Sequence, residues 1–124
     1  MRAALWVALG GAIGSVARWL LSGAVQRWAG NSFPWGTFTV NAIGSLLVGA
    51  LAALALERAL ISPAARQFLI VGVLGGFTTF SAFSYEAVAL LREGQWWTAA
   101  GYVGGSVTAG LGGAMLGVAV GLRL

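Results

Sequence analysis

Four apolar runs, each long enough to cross a lipid bilayer as a helix, occupy most of the sequence. They cover about residues 4–25, 35–56, 68–91 and 97–122, and polar or charged residues end each run. A spanning helix requires about 20 mainly apolar residues. Because the connections are short, consecutive helices are expected to be neighbours. The sequence therefore predicts an all-α integral membrane protein, with four transmembrane helices in a single transmembrane domain over residues 1–124.

The scarcity of charged and catalytic residue types narrows the function classes. Only 8% of the residues are charged, against about 25% in a soluble domain, so the solvent is expected to be the lipid bilayer. Cysteine and histidine are both absent, which excludes disulfides, thiolate or imidazole catalysis and the usual zinc ligands. The carboxylates are Glu57, Glu86 and Glu93. We therefore expect that the protein is not an enzyme.

The arginines indicate membrane topology rather than nucleic-acid binding. They stand singly between apolar runs, whereas a nucleic-acid binder clusters its cations on a solvated face. With four spans both termini lie on one side. The side of the termini carries four arginines, namely Arg2, Arg58, Arg66 and Arg123. The other side carries two, Arg27 and Arg92. This bias favours a cytoplasmic N-terminus only weakly, so it permits insertion in both orientations.

Small residues recur at every fourth position along the last run. They are Gly101, Gly105, Ala109, Gly113, Gly117 and Gly121. Gly10 and Gly14 repeat this spacing in the first run. In lipid, small residues at this spacing let helix backbones approach closely. The ridge therefore predicts close helix packing, either within one subunit or between two.

Polar residues follow one face of the second helix and one face of the fourth. At four-residue spacing the second helix carries Thr37, Asn41 and Ser45, and the fourth carries Thr98, Tyr102 and Ser106. A lone serine or threonine in a membrane helix usually bonds its own backbone. Two aligned stripes favour either a polar pathway or hydrogen bonds between helices. Asn41 is the strongest single indication, because an amide in hydrocarbon needs hydrogen-bond partners.

The third run contains a stretch that predicts a broken helix near the midplane of the membrane. Two glycines, Gly75 and Gly76, precede a series of β-branched, hydroxyl and aromatic residues, and this combination weakens a helix. Backbone that leaves helical geometry at this depth must face protein or a cavity, and its freed carbonyls suit a hard cation. Phe80 and Phe83 are three residues apart, so their rings share a face. The alternative is a flexible, packed helix with two core aromatics.

Two charged residues lie inside the apolar runs. Arg18 is near the end of the first predicted helix and Glu86 near the end of the third. Because these helices run in the same direction, the two charges are expected at similar depth. They either pair with each other or extend to the membrane surface, or they form an ion-attracting vestibule, mainly through Arg18.

The polar positions line only one half of the membrane. Thr37, Asn41, Tyr102 and Ser106 lie in the half away from the termini, and residues 78–84 extend from the midplane toward that half. A partner inserted upside down would supply the other half. The weak arginine bias permits such an antiparallel, dual-topology homodimer.

Three motifs occur in order along the chain, namely Gly10-Gly11-x-x-Gly14-x-x-x-Arg18, Gly36-Thr37-x-x-x-Asn41-x-x-Gly44-Ser45 and Gly75-Gly76-Phe77-Thr78-Thr79-Phe80-Ser81-x-Phe83-Ser84. With these motifs the chain resembles the Fluc (CrcB-type) fluoride channels nearly from end to end. The third motif is highly specific, and the chain length and four-span layout also agree. Ala82 departs from the family pattern, in which threonine is common at this position.

The resemblance implies an antiparallel homodimer with two pores and a structural sodium ion at the dimer centre. Main-chain carbonyls of Gly75 and Thr78 from each subunit would hold the sodium. Phe80 and Phe83 would line the fluoride pore with their ring edges, and Asn41 would donate a hydrogen bond to fluoride. Further polar pore positions would be Thr79, Ser84, Tyr102 and Ser106. Arg18 and Glu86 match charged family positions near the pore mouth.

The function that this resemblance implies is passive, fluoride-selective export through a bacterial inner membrane, which protects the cytoplasm. The alternative is a small multidrug-type proton-coupled exporter, which shares the four spans and dual topology. Such an exporter needs a carboxylate at the membrane centre, usually in the first helix, but the first run has none and Glu86 lies near a helix end. A non-transporting assembly subunit would not need two polar stripes and a broken helix.

Overall fold

The structure, a computed structural model, describes residues 2–124 as helices joined by short loops. The helices are α1 (Arg2–Ala29), α2 (Trp35–Ala52), α3 (residues 63–77), α4 (Phe80–Arg92) and α5 (Trp96–Arg123). Four spans are long and apolar enough to cross a membrane, namely Arg2–Ala29, Trp35–Glu57, Pro63–Arg92 and Trp96–Arg123. The prediction of an all-helical chain with four membrane-spanning helices is confirmed.

Two segments have the wider turns of a π-helix. The second span continues beyond α2 as Ala53–Glu57, and the middle of α3 is Gln67–Leu74. The α-helical turn Pro63–Arg66 opens α3, and Gly75–Phe77 closes it. Such stretches are rare in proteins, and the sequence contains no signal that distinguishes them from α-helix.

Helices begin and end where local backbone chemistry allows. Gly30 follows α1 with φ of 89° and Gly94 follows α4 with φ of 76°, a left-handed conformation that glycine adopts without steric cost. At the start of α3 the Ser62 hydroxyl accepts a hydrogen bond from Ala65 N–H at 3.2 Å, which caps the helix. The spans are somewhat longer than the apolar runs, and α1 in particular continues to Ala29.

The helices pack as two parallel pairs whose backbones touch. In the first pair, a Cβ on Gly14 of α1 would collide with the Val73 carbonyl of α3. In the second pair, Cβ atoms on Gly117 and Gly121 of α5 would collide with or crowd the Leu46 and Ala50 carbonyls of α2. The C-terminal half of the small-residue ridge therefore packs within the subunit. A Cβ on Gly101 would meet nothing within 4 Å, so the ridge does not make this contact along its whole length.

The third span is broken within the expected stretch, at its threonines, while Gly75 remains helical. Gly75 has φ −62° and ψ −38° and is helical, whereas Thr78 (φ −88°, ψ 156°) and Thr79 (φ −148°, ψ 118°) are extended. Gly76 serves packing, because a Cβ there would lie 2.6 Å from the Gly11 carbonyl oxygen of α1. The glycine requirement at Gly76 therefore comes from close helix contact, and the break follows two residues later, at Thr78.

Candidate functional site

Asn41 of α2 holds the extended backbone at the break. Its side-chain nitrogen donates to the Thr79 carbonyl at 3.0 Å, and its side-chain oxygen accepts the Thr79 N–H at 2.8 Å. The amide thus pairs with one residue of backbone as a neighbouring strand would. The sequence indicated that this amide needs hydrogen-bond partners, and it finds them in the third span. The second N–H of the amide group remains for a further acceptor.

The bonds around the break change the partners of two carbonyl groups. In a continuous helix the Gly75 carbonyl would accept the Thr79 N–H and the Thr78 carbonyl would accept the Ala82 N–H. Here the Thr79 N–H donates to Asn41, and the Ala82 N–H donates to the Thr79 hydroxyl at 3.2 Å, which caps α4. The helical donors of Gly75 and Thr78 are therefore both bonded to side chains instead.

A groove of about 340 Å³ lies on the protomer surface at the break. It is lined by Asn41, Ser45, Val48, Ile70, Leu74, Gly75, Thr78, Thr79 and Phe80. Within residues 2–124 no cluster of three or more histidine, cysteine, aspartate or glutamate side chains could hold a metal ion. The groove residues instead include Gly75 and Thr78, whose carbonyl groups have lost their helical donors. Carbonyl oxygens are ligands for hard cations. The residues present thus fit a cation held by main-chain oxygens.

Arg18 of α1 lies deeper than the sequence indicated. Its Nε donates to the Gly76 carbonyl at 2.9 Å, two residues before the first extended threonine. Glu86 lies ten residues further along the same span and accepts a hydrogen bond from the Tyr102 hydroxyl at 3.0 Å. The expectation of similar depth is therefore wrong. Because α1 continues to Ala29, Arg18 is farther from the membrane surface than the apolar run alone suggests.

Phe80 and Phe83 share one side of α4, as their spacing predicted, with ring centroids 5.7 Å apart. Phe83 also lies 5.2 Å from the ring of Tyr102, which is fully buried and packs at 5.3 Å against Phe33. In contrast, Phe80 is 79% exposed in the protomer. A continuous row of rings therefore extends from the exposed edge at the break into the protein interior.

The hydroxyl groups expected along this row have different environments. Ser84 donates to the Phe80 carbonyl at 3.0 Å within its own helix, the bonding that is usual for an isolated serine in a membrane helix. The Thr79 hydroxyl is the cap of α4. The Ser106 hydroxyl is buried and has no hydrogen-bond partner among residues 2–124. Ser106 is therefore the hydroxyl most in need of an external partner.

Two contributors to the site were not identified from the sequence. Gln26 at the end of α1 donates to the Gly30 carbonyl and, at 2.9 Å, to the Phe33 carbonyl, and accepts the Gly36 N–H at 3.0 Å. These bonds fix the loop that places Phe33 against Tyr102. Gln26 and Phe33 also line a polar cavity of about 240 Å³ beside Glu86 and Glu93. A single amide at a helix end gives little signal for such a role.

The chain is similar to known proteins along most of its length. The family model described as CrcB-like protein, Camphor Resistance (CrcB), matches residues 5–118. The Fluoride-specific ion channel FluC of Opitutus terrae is 49% identical over 123 residues, which are 96% of this chain and 93% of that protein. The protein of the same name from Thermus thermophilus is 54% identical over 117 residues, covering 94% and 93% of the two chains.

Proposed function

Because this chain belongs to the CrcB family, and relatives that match nearly all of it are fluoride-specific ion channels, we propose that it is a fluoride channel through which the anion leaves the cell passively. Membership of a channel family also makes the chain a membrane transporter and not an enzyme. Hydrogen fluoride crosses membranes as a neutral molecule and dissociates in a less acidic cytoplasm. A passive exit pathway would then limit the accumulation of fluoride.

The observation that carries this proposal is the row of aromatic rings that begins at the break. Fluoride is small and strongly hydrated, so a pathway through hydrocarbon must replace water with hydrogen-bond donors and the positive edges of aromatic rings. Phe80 and Phe83 supply ring edges, and Asn41 keeps one amide N–H beyond its bond to Thr79. We place the fluoride pathway along these three residues and on past Thr79, Ser84, Tyr102 and Ser106.

We also propose that two copies assemble as an antiparallel, dual-topology homodimer. In support, Phe80 lies at the middle of its span and is nevertheless 79% exposed in one protomer. The groove at Gly75 and Thr78 is likewise open on the protomer surface. An inverted second copy seated here would cover both features and would extend the polar lining through the other half of the membrane. The four-to-two distribution of arginines permits both orientations.

A structural sodium ion at the dimer centre is part of this proposal. Each protomer would contribute the main-chain carbonyls of Gly75 and Thr78, whose helical donors are bonded to Asn41 and Thr79. When bound, the ion would attract the partial negative charges of these oxygens and so link the two protomers. It would not be the transported species, because neutral carbonyls that hold a cation do not provide a path for an anion.

The proposed location is a bacterial inner membrane, with Arg2–Ala29 as the first of four spans. The proton-coupled exporter is the less favoured alternative, because this first span contains no carboxylate and the relatives are named as fluoride channels. A passive channel and a coupled exporter differ in the driving force that they need.

The deciding experiment is fluoride efflux from proteoliposomes of the purified protein, recorded with a fluoride electrode. Efflux should run down a fluoride gradient without a proton gradient, and chloride should not leave at a comparable rate. A requirement for a proton gradient, or equal chloride efflux, would contradict the channel proposal.

Dual topology has a direct test because the chain has no cysteine. In the variant Asn31→Cys the single thiol lies in the loop between α1 and α2, where residue 31 is exposed. A membrane-impermeant thiol reagent added to intact vesicles should label about half of the molecules, and the rest should react after permeabilisation. Labelling from one side alone would exclude the antiparallel arrangement.

A further inference from the structure

The Gly76 carbonyl lies where the third span loses its helical hydrogen bonds. In a continuous helix this oxygen would accept the Phe80 N–H, but the backbone between them is extended at Thr78 and Thr79, and Phe80 begins a new helix. Water that could satisfy such a carbonyl is scarce at this depth of the membrane. The donor that replaces Phe80 is the Nε–H of Arg18, at 2.9 Å.

We propose that Arg18 is a positioning residue: its Nε–H fixes the end of α3 through the Gly76 carbonyl, and conduction depends on this hydrogen bond rather than on the positive charge. The inference rests on the proposed fluoride channel and goes beyond it. A role in attracting anions requires only charge and accessibility, whereas the observed bond joins one side-chain atom to one backbone atom across two helices.

The surrounding contacts explain why this bond is formed by α1. Gly11, Ser15 and Arg18 lie at helical spacing on one face of α1, and a Cβ on Gly76 would lie 2.6 Å from the Gly11 carbonyl oxygen and 3.1 Å from the Ser15 hydroxyl. The same helix face therefore both packs on Gly76 and supplies its donor. The close packing brings the start of the break within reach of a side chain from the next turn.

The bond also determines which carbonyls stay available. Asn41 takes the Thr79 N–H and the Thr79 hydroxyl takes the Ala82 N–H, so Gly75 and Thr78 lose their helical donors. Gly76, which lies between them, is bonded to Arg18. If this bond were removed, the last turn of α3 would have an additional unsatisfied carbonyl in hydrocarbon, which is costly. The turn would then reorient, and the break would lose its defined geometry.

Three substitutions separate the hydrogen bond from the charge. Glutamine carries its amide nitrogen directly after Cδ, as arginine carries Nε, so Arg18→Gln keeps a donor at this position without the charge. Arg18→Lys keeps the charge but moves the nitrogen one atom further out, on a strongly hydrated ammonium group. Arg18→Met has a similar length with neither donor nor charge.

We expect fluoride flux through Arg18→Gln to exceed flux through Arg18→Met by at least about tenfold, and Arg18→Lys to fall below Arg18→Gln. The order should be the same at low and high salt, because a short hydrogen bond is not screened as a surface field is. Flux is measured in proteoliposomes after size exclusion has shown that each variant assembles as the wild type does. If Arg18→Met does not assemble, the order of the glutamine and lysine variants carries the test.

A second measurement does not depend on conduction. Hydrogen exchange at the Thr79 amide should be faster in Arg18→Met than in Arg18→Gln, because the end of α3 is no longer fixed. Equal flux in the methionine and glutamine variants, or higher flux in the lysine variant than in the glutamine variant, would overturn the proposal. If wild-type protein conducts no fluoride, the proposed function fails, and the exchange rates still decide whether Arg18 positions the break.

Discussion

Two regions of the protomer place backbone against a neighbouring helix, and they do so by opposite means. Along the glycine seam, which we define as Gly113, Gly117 and Gly121 of α5 against α2, side chains are missing so that backbones touch. At the break, side chains are added, because Asn41 and Arg18 bond to backbone groups that have lost helical partners. Substitutions in the seam should therefore affect assembly, and substitutions at the break should affect conduction in protein that still assembles.

The largest effect is expected in the glycine seam. Gly117→Ala places a Cβ against the Leu46 carbonyl and 2.8 Å from the Ala50 backbone nitrogen, and neither backbone atom can move without separating α2 from α5. We expect little or no monodisperse protein by size exclusion. Gly112→Ala is the matched control, since a Cβ there would meet nothing within 4 Å, and its yield should equal that of the wild type. Normal yield of Gly117→Ala would show that the seam can separate without loss of the fold.

The next largest effect is expected at Asn41. Asn41→Asp keeps an oxygen that accepts the Thr79 N–H but replaces the amide nitrogen that donates to the Thr79 carbonyl, and it places a negative charge beside the proposed anion path. Fluoride flux should fall to the background of protein-free liposomes, while size exclusion remains normal. Asn41→Leu, of similar size and without charge, separates loss of the bonds from electrostatic exclusion. Wild-type flux in the aspartate variant would remove Asn41 from the pathway.

A smaller but still clear effect is expected for the two rings at the break. Phe80→Ile and Phe83→Ile remove ring edges that no aliphatic side chain replaces, and each should lower fluoride flux by at least about tenfold, or about 1.4 kcal/mol in barrier height. The Phe80 variant should still fold as a protomer, because this ring is largely exposed there, and size exclusion shows whether each variant assembles as the wild type does. Phe68→Ile is the control, since this ring packs against Trp6 away from the break. Flux near wild type in both variants would mean that the rings serve packing alone.

The same comparison shows which features a single sequence can reveal. Hydropathy alone predicted the four spans, because lipid imposes one length and one composition on every crossing helix. The break was predicted for the stretch that begins at Gly75, and it lies within that stretch. Its exact residues depend on tertiary packing: Gly76 stays helical because α1 lies against it, and the extended residues are Thr78 and Thr79. The π-helical turns in α3 also have no local sequence signal.

At the site, the chemical type of a residue predicted its bonding better than its position in the apolar run predicted its depth in the membrane. The need of Asn41 for partners followed from the cost of an unpaired amide in hydrocarbon, but its partner is backbone, which no side-chain pattern could reveal. Arg18 was expected too near the membrane surface, because the first apolar run ends before Gln26. In the structure α1 continues through Gln26, Arg27 and Trp28. Polar residues at the end of a run do not mark where a membrane helix ends.

The smallest effect is expected where this chain departs from the family pattern. At Ala82 the functional group is the backbone N–H, which donates to the Thr79 hydroxyl, and every residue except proline has this donor. Ala82→Thr should therefore keep the cap, change stability by no more than about 0.5 kcal/mol, and leave fluoride flux within about twofold of the wild type. Thr79→Val is the sensitive counterpart, because it removes the capping oxygen at a cost of about 1 kcal/mol. Thermal unfolding in detergent and proteoliposome flux measure both variants. If Ala82→Thr changes flux as much as Thr79→Val does, the side chain at position 82, and not only its backbone, takes part at the break.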